Sequence, residues 1–304
     1  MLPFVSVIVP VFNGQDTIEA CLNALVAQDY PADRYEVIIV DNNSTDGTTR
    51  LVQQFPVRYI LERSRQSSYA ARNRGVREAQ GALLAFTDAD CVPDPAWLRY
   101  GVAAFASATV GGVAGTIASL DPATVAQRYA VRKGALSQET ALTQNSFRPA
   151  VYTANALYRK AALEQAGGFD PGVISGGDAD LAWRVQELGF SITFAPQAVV
   201  RHRHRERVAD LLRQRRNYGY GSVVNYVKHR EAMGRRTLRH GYWELRAFLR
   251  KLGRLAGTAV RCAIRGFPVG EREEVALDAV DVLAFCAKKA GQLSAAARYR
   301  VWYF

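Results

Sequence analysis

Residues Val5–Asp41, VSVIVPVFNGQDTIEACLNALVAQDYPADRYEVIIVD, decide the fold. The stretch opens on the β-branched run VSVIVPVF and closes on YEVIIVD. Neither run alternates with polar residues, so each reads as a strand covered on both faces. Between them Ile18, Cys21, Leu22, Leu25 and Val26 recur at i, i+3, i+4, i+7 and i+8, which is one face of a helix. Strand, helix and strand of these lengths make a βαβ unit with parallel strands. Outward from this unit the pattern repeats. STDGTTRLVQQF reads as a capped helix, VRYIL as a third strand, SYAARNRGVREAQ as a third helix and ALLAFTD as a fourth strand. The expected class is α/β with a mostly parallel central sheet. Further on, VGGVAGTIAS reads as a strand, YRKAALEQAGGFD and SGGDADLAWRVQELGF as helices, and SITFAPQAVVRHRH as a strand pair.

Ligands of such sheets sit beyond the C-terminal strand ends. Three strand-to-helix turns meet at that edge: Pro10–Asn13, Asp41–Asp46 and Asp88–Asp90. Asp88 and Asp90, spaced i, i+2 on extended backbone, point to one side, where like charges repel unless a cation lies between them. Two hard carboxylates suit Mg2+ or Mn2+ with open positions for diphosphate oxygens. The same DADCVPDP pattern is also what a turn uses. Asp41 closes the second strand and could accept hydrogen bonds from a nucleobase or ribose, while Ser44, Thr45 and Asp46 read as helix capping. Asp178 and Asp180 open a helix behind two glycines. There a carboxylate is favoured by the helix dipole and can serve as a general base when its pKa is tuned.

In order along the chain stand VIVPVFN, VDNNSTDGT, YAARNRG, FTDADC, GGFD and GGDADLAWRVQELG. Together they resemble the family 2 glycosyltransferases, inverting enzymes of the GT-A (Rossmann-like) fold that use nucleotide-sugar donors, over roughly residues 4–205. The resemblance implies that Pro10, Phe12, Asn13 and Asp41 hold the nucleobase and that Arg72 lines the nucleotide site. It implies that Asp88, Ala89 and Asp90 form the D-x-D element for metal and donor diphosphate, with Mn2+ or Mg2+ as cofactor. Asp178 matches the catalytic base, Asp180 lies beside it, and Asn155 lies where the family often contacts sugar or acceptor. The family's Glu before the base is here Gly177, so the choice between Asp178 and Asp180 stays open. A late histidine often serves as third metal ligand. His202 is the expected one, and His204 remains an alternative.

The 304 residues carry a formal net charge of +11. Residues 201–270 hold 18 Lys/Arg against 4 Asp/Glu, so the rest of the chain is slightly acidic. That asymmetry divides the chain into an expected catalytic domain, 1–205, and a basic, amphipathic helical region, 206–304. There Leu245, Phe248, Leu249, Leu252, Leu255, Ala256, Ala259, Val260, Ala263 and Phe267 form an apolar stripe with Arg246, Arg250 and Arg254 beside it. Such a helix either packs on a domain or lies on an anionic membrane surface. NYGYGS (Asn217–Ser222) reads as a flap over an acceptor or as a helix break. Nucleic acid is not an expected partner, because aromatic residues are not interleaved with the basic ones. The N-terminus has no cleavable signal pattern, no apolar run approaches the length of a membrane span, and the four cysteines are scattered. The expected location is cytoplasmic, peripheral on the inner face of the cell membrane.

The expected function is transfer of a sugar from a nucleotide-sugar donor, a UDP-sugar first, to a hydroxyl of a lipid-linked, polysaccharide or glycoconjugate acceptor. The oligomeric state is left open. The rivals are a sugar-phosphate nucleotidyltransferase and a non-catalytic scaffold binding membrane or RNA. The first needs a basic, glycine-rich first loop, whereas VPVFNGQDT has one glycine and no Lys or Arg.

Overall fold

A computed structural model of the chain describes residues 2–145, 147–236, 238–266 and 269–303; Phe267 of the expected apolar stripe lies outside them. The chain forms two compact units. One runs to Leu120 and adds Leu136–Gly172 and Gly177–Arg203; the other comprises Asp121–Ala135, Val173–Gly176 and the chain from His204 onward. Relative to the expected division at residue 205, segments 121–135 and 173–176 belong with the C-terminal helices.

The first unit contains β1 (Val5–Val11), α1 (Ile18–Val26), β2 (Tyr35–Asp41), α2 (Thr48–Val52), β3 (Arg58–Leu61), α3 (Ser68–Glu78), β4 (Leu83–Phe86), β5 (Cys91–Pro93), α4 (Trp97–Ala103) and β6 (Val110–Ser119). After α5 (Val125–Arg132), which belongs to the second unit, come α6 (Gln138–Thr143), β7 (Ala156–Arg159), α7 (Lys160–Gln165), α8 (Gly177–Glu187) and β8 (Ser191–His202). The eight strands make one sheet in the order β3-β2-β1-β4-β7-β6-β8-β5. From β3 to β4 every pairing is parallel. Beyond β4 the sheet is mixed: β7 runs antiparallel to β4 and β6, β8 is parallel to β6, and β5 is antiparallel to β8.

All seven residues of β1 are buried, so both of its faces need a cover. Val5, Val7 and Val9 pack with Ile18, Leu22 and Leu25 of α1. On the opposite face α3 lies so close that a Cβ on Gly75 would stand 2.5 Å from Ile8 Cγ2. Two local expectations change. The helix expected over STDGTTRLVQQF shrinks to the five residues of α2, because Ser44, Thr45 and Asp46 are spent on the preceding loop. The expected strand pair SITFAPQAVVRHRH is one twelve-residue strand. Its register against β6 jumps from Ala195 to Val199, which absorbs Pro196 as a bulge.

The second unit consists of α5, α9 (Val208–Lys228), α10 (Arg230–Met233), α11 (Leu238–Ile264) and α12 (Val269–Tyr299). Two buried carboxylates of α12 pin its neighbours. Asp281 accepts from Tyr129 Oη at 3.0 Å, Lys133 Nζ at 2.8 Å and Lys251 Nζ at 2.6 Å. Asp278 accepts from Arg132 and from Thr258 Oγ1. NYGYGS is neither flap nor break: it lies inside the continuous helix α9. Gly219 sits against the Lys288 carbonyl of α12, where a side chain would be excluded. Among the described residues no helix is long and apolar enough to cross a membrane.

Candidate active site

The tips of β1 and β2 are laced together before any ligand is considered. Asn13 adopts φ 49°, a left-handed conformation that Asn tolerates. Its backbone N–H donates to Ser44 Oγ at 2.9 Å, and its side-chain oxygen accepts from Thr45 N at 2.8 Å. Pro10 is buried in β1, whereas the Phe12 side chain is exposed. Asp41 is closed from solvent. It accepts from Ser44 N, Thr49 Oγ1 and Tyr59 Oη at 2.8, 3.0 and 2.8 Å. In this structure Asp41 acts on the loop that frames the edge, and Phe12 presents the open surface there.

From α3, Arg72 reaches Asp88 beyond β4, with a guanidinium nitrogen 2.5 Å from Asp88 Oδ1. The guanidinium lies over the rings of Tyr69 and Phe169, at 5.6 and 5.9 Å from their centroids, and these two rings stack. Aromatic faces favour a cation there. Asp88 is partly exposed and Asp90 is more enclosed. Ala89 turns inward against the core, so of the triplet only the acids present side chains to the edge.

Strand pairing supplies the next group. β5 and β8 are antiparallel with Cys91 opposite His202. This brings His202 Nε2 to 3.6 Å from Asp90 Oδ1. Asp90, Cys91 and His202 offer ligand atoms all within 4.8 Å of one another. Burial, followed by the charges of Asp90 and Asp88, pushes the Cys91 thiol well above its ordinary pKa. A protonated thiol is a poor ligand for a hard cation. The fitting donor set is therefore carboxylate oxygen with imidazole nitrogen, and Mn2+ accepts both. His204 is buried in the helical unit, where its backbone carbonyl accepts from Gln127 Nε2 at 3.3 Å.

Asp178 stands in the first turn of α8, with Oδ1 accepting from Ala179 N at 3.1 Å. Burial raises its pKa; Arg72 pulls it down and Asp88 pushes it up, so all three side chains share one electrostatic environment. The preceding residue, Gly177, donates its backbone N–H to Tyr69 Oη at 2.9 Å. A Cβ there would stand 2.9 Å from the Tyr69 ring. The tyrosine thus occupies the space that a side chain at position 177 would need.

Two expected residues are corrected. Asp180, a candidate for the site or for the base, is fully buried and held by Arg184 at 2.8 Å, while Arg184 also binds the Ala166 and Gly168 carbonyls. It braces α8 from beneath. Asn155, expected at sugar or acceptor, is likewise fully buried. Its side-chain oxygen accepts from Trp97 Nε1 at 2.8 Å, and its amide donates to the Thr116 and Ala198 carbonyls at 2.8 Å each. With its hydrogen-bonding capacity spent inside the sheet, Asn155 is a bracket across α4, β6 and β8. Tyr69 and Phe169 are the residues that the sequence reading missed. Tyr69 stands at i−3 from Arg72, on the same helix face, and that spacing was the available signal.

Comparison with known proteins adds to this geometry. The sequence profile described as "Glycosyl transferase family 2" matches residues 6–167. The glycosyltransferase AglE of Haloferax volcanii is 37% identical over 257 residues, covering 82% of this chain and 83% of AglE. A Methanococcus voltae enzyme described as dolichyl N-acetyl-alpha-D-glucosaminyl phosphate 3-beta-D-2,3-diacetamido-2,3-dideoxy-beta-D-glucuronosyltransferase is 24% identical, covering 71% and 72% of the two chains. Other relatives are longer, and the chain spans 55–57% of three of them. Among solved structures, the mannosyltransferase PcManGT from Pyrobaculum calidifontis, in complex with GDP-Man and Mn2+, superposes with a TM-score of 0.66 at 22% identity, covering 96% of this chain and 88% of that one.

Proposed function

The chain belongs to glycosyl transferase family 2, and from that premise we propose that it moves a sugar from a nucleoside diphosphate donor to an acceptor hydroxyl with inversion at the anomeric carbon. A UDP-sugar is the first choice of donor; GDP-mannose is the second, since the structural neighbour PcManGT is described with GDP-Man. The observation that carries the reading is Asp178: a carboxyl raised by burial, at a helix start, in the same field as Arg72 and Asp88. A general base gains efficiency as its pKa rises towards working pH, and the aspartate is biased in that direction.

Each residue has a role in this proposal. Phe12 and the loop ordered by Asn13 and Asp41 receive the base. Arg72, kept in place by Asp88 and by the Tyr69 and Phe169 rings, presents fixed positive charge to the donor phosphates. Asp88, Asp90 and His202 would hold Mn2+ or Mg2+, which when bound supplies charge neutralisation for the departing nucleoside diphosphate; the imidazole favours Mn2+ of the two. Asp178 accepts the proton of the acceptor hydroxyl as its oxygen bonds to the anomeric carbon and the bond to the diphosphate breaks. The acceptor is a lipid-linked or glycan hydroxyl, a reading supported by the dolichyl N-acetyl-alpha-D-glucosaminyl phosphate in the name of the Methanococcus voltae relative. A cytoplasmic enzyme working at the inner membrane face belongs to the same reading, and its four cysteines, all free, are consistent with it.

Calorimetric titration of UDP, GDP and dTDP, with and without Mn2+, tests the proposal. One nucleotide should bind in a metal-dependent way and lose that binding in Asp88→Asn/Asp90→Asn. Asp178→Asn should keep nucleotide binding and lose turnover by at least a hundredfold, in line with general-base magnitudes of roughly 10²–10⁴. Failure of every nucleotide to bind would sink the catalytic reading.

A further inference from the structure

The apolar stripe of α11 is wider than the helix can bury, and the structure divides it. Phe248 stacks on Phe285 of α12 at 5.3 Å, Lys251 and Thr258 bond the buried Asp281 and Asp278, and Cys262 is buried. These residues define the inner face. Tyr242, Leu245, Leu249, Leu252, Val260 and Ile264 follow one another in steps of mostly three, four or eight residues on the outer side, and all are exposed. Leu245 is 57%, Leu249 56% and Ile264 79% exposed. From Tyr242 to Ile264 the strip runs for about 33 Å along the helix. An exposed apolar strip of this length is not an ordinary solvent face.

Arg246, Arg250 and Arg254 run beside the strip at i, i+4 and i+8, and among the described residues none of the three makes an ion pair. Arg246 lies over the Trp243 ring at 5.4 Å. The one acid of α11, Glu244, is taken up by Arg236 and Lys289. The outer face therefore combines large apolar side chains with unopposed arginines and no carboxylate. A second copy meeting this face would set arginines against arginines. A surface of acyl chains bordered by phosphate would accept both components.

We propose that the outer face of α11 docks the protein on an anionic lipid surface, with Leu245, Leu249, Leu252 and Val260 entering the interface and Arg246, Arg250 and Arg254 meeting lipid phosphates. This deepens the proposed function by bringing the enzyme to the layer in which a lipid-linked acceptor resides, and it rests on that reading only for its purpose. α12 backs the inner face of α11 through Phe285, Asp278 and Asp281.

The test is vesicle flotation of the full chain, comparing phosphatidylglycerol-containing vesicles with pure phosphatidylcholine at low and high salt. The protein should float with the anionic vesicles and be released by salt. Leu245→Glu/Leu249→Glu should abolish flotation. Arg246→Gln/Arg250→Gln/Arg254→Gln should weaken partitioning on the order of a hundredfold. No flotation of the wild type, equal flotation on both lipids, or flotation that survives both variants would overturn the proposal. So would light scattering that shows a dimer dissolved by the leucine variant, since a second copy would then own the face. The wild-type arm decides even if a variant misfolds. Nucleotide calorimetry on the same samples separates the two readings: intact nucleotide binding without flotation rejects membrane docking alone.

Discussion

Asp178 and Asp180 share one turn of α8, and their surroundings give them opposite tasks. Asp180 is neutralised by Arg184 beneath the helix, so removing it strands a half-buried cation. Asp180→Ala should cost about 3 kcal/mol of stability in chemical denaturation. Asp178 has no such clamp. Its pKa is raised above the ordinary 3.8, so the folded state binds the proton more tightly than the unfolded chain. Its charge therefore opposes folding at neutral pH, and that penalty fades as pH falls through the raised pKa. Asp178→Asn should raise the Tm at pH 7 while removing activity, with the gain in Tm shrinking in acid. The acid limb of the rate profile should stand above an ordinary aspartate's. Arg72→Ala should move that limb further up, because the lowering charge is gone, and Asp88→Asn should move it down. Residual single-turnover rates against pH would measure both shifts. The sequence reading left the two acids open because both occupy a helix start. Only burial and the i+4 arginine distinguish them.

Elements bring together what the chain keeps far apart. β5 and β8 set His202 against Asp90, and no local pattern predicts an antiparallel pairing across that span. The two histidines are separated by the end of the strand and not by alternation, since i, i+2 neighbours share a face: β8 stops at His202, and His204 already belongs to the helical unit. Asn155 was misread for a related reason: its neighbours in sequence say nothing of Trp97, Thr116 and Ala198, which use up its side chain. Asn155→Ala would take the partner from the buried Trp97 donor and the buried Ala198 carbonyl, and one from the half-buried Thr116 carbonyl. It should lower stability by about 3 kcal/mol or more, while nucleotide affinity in the surviving folded protein stays unchanged. A Kd raised tenfold in Asn155→Ala would restore it to the binding surface.

At the scale of the whole molecule the two units answer acid with opposite signs. In the α/β unit the raised Asp178 is relieved by protonation. In the helical unit Asp281 is held below its ordinary 3.8: burial opposes this but is outweighed by Lys133 and Lys251, whose hydrogen bonds and charges favour the carboxylate. Its contribution is present above 3.8 and is lost as pH falls through the lowered folded value. Acid should therefore loosen α5 and α11 from α12 before it opens the sheet, and hydrogen exchange at stepwise lower pH would show protection lost first in those helices. The α/β order was readable from strand and helix periods because β1 and β4 are buried along their whole length and β2 from Val37 onward. The helical unit was readable only as helical and basic. Its apolar stripe spans more than one face, and periodicity alone does not say which half is covered.

The meeting of Tyr69 with Gly177 also constrains how this chain can change. A larger residue at 177 is excluded while the tyrosine ring stands at 2.9 Å from the position of its Cβ. A smaller residue at 69 withdraws both the hydroxyl that satisfies the Gly177 N–H and the ring beneath Arg72. The two positions are thus epistatic: an acidic side chain ahead of Asp178 is open to this lineage only after position 69 has shrunk, and the intermediate must tolerate a loosened Arg72. The order of the substitutions, and not only their sum, decides whether that path is passable.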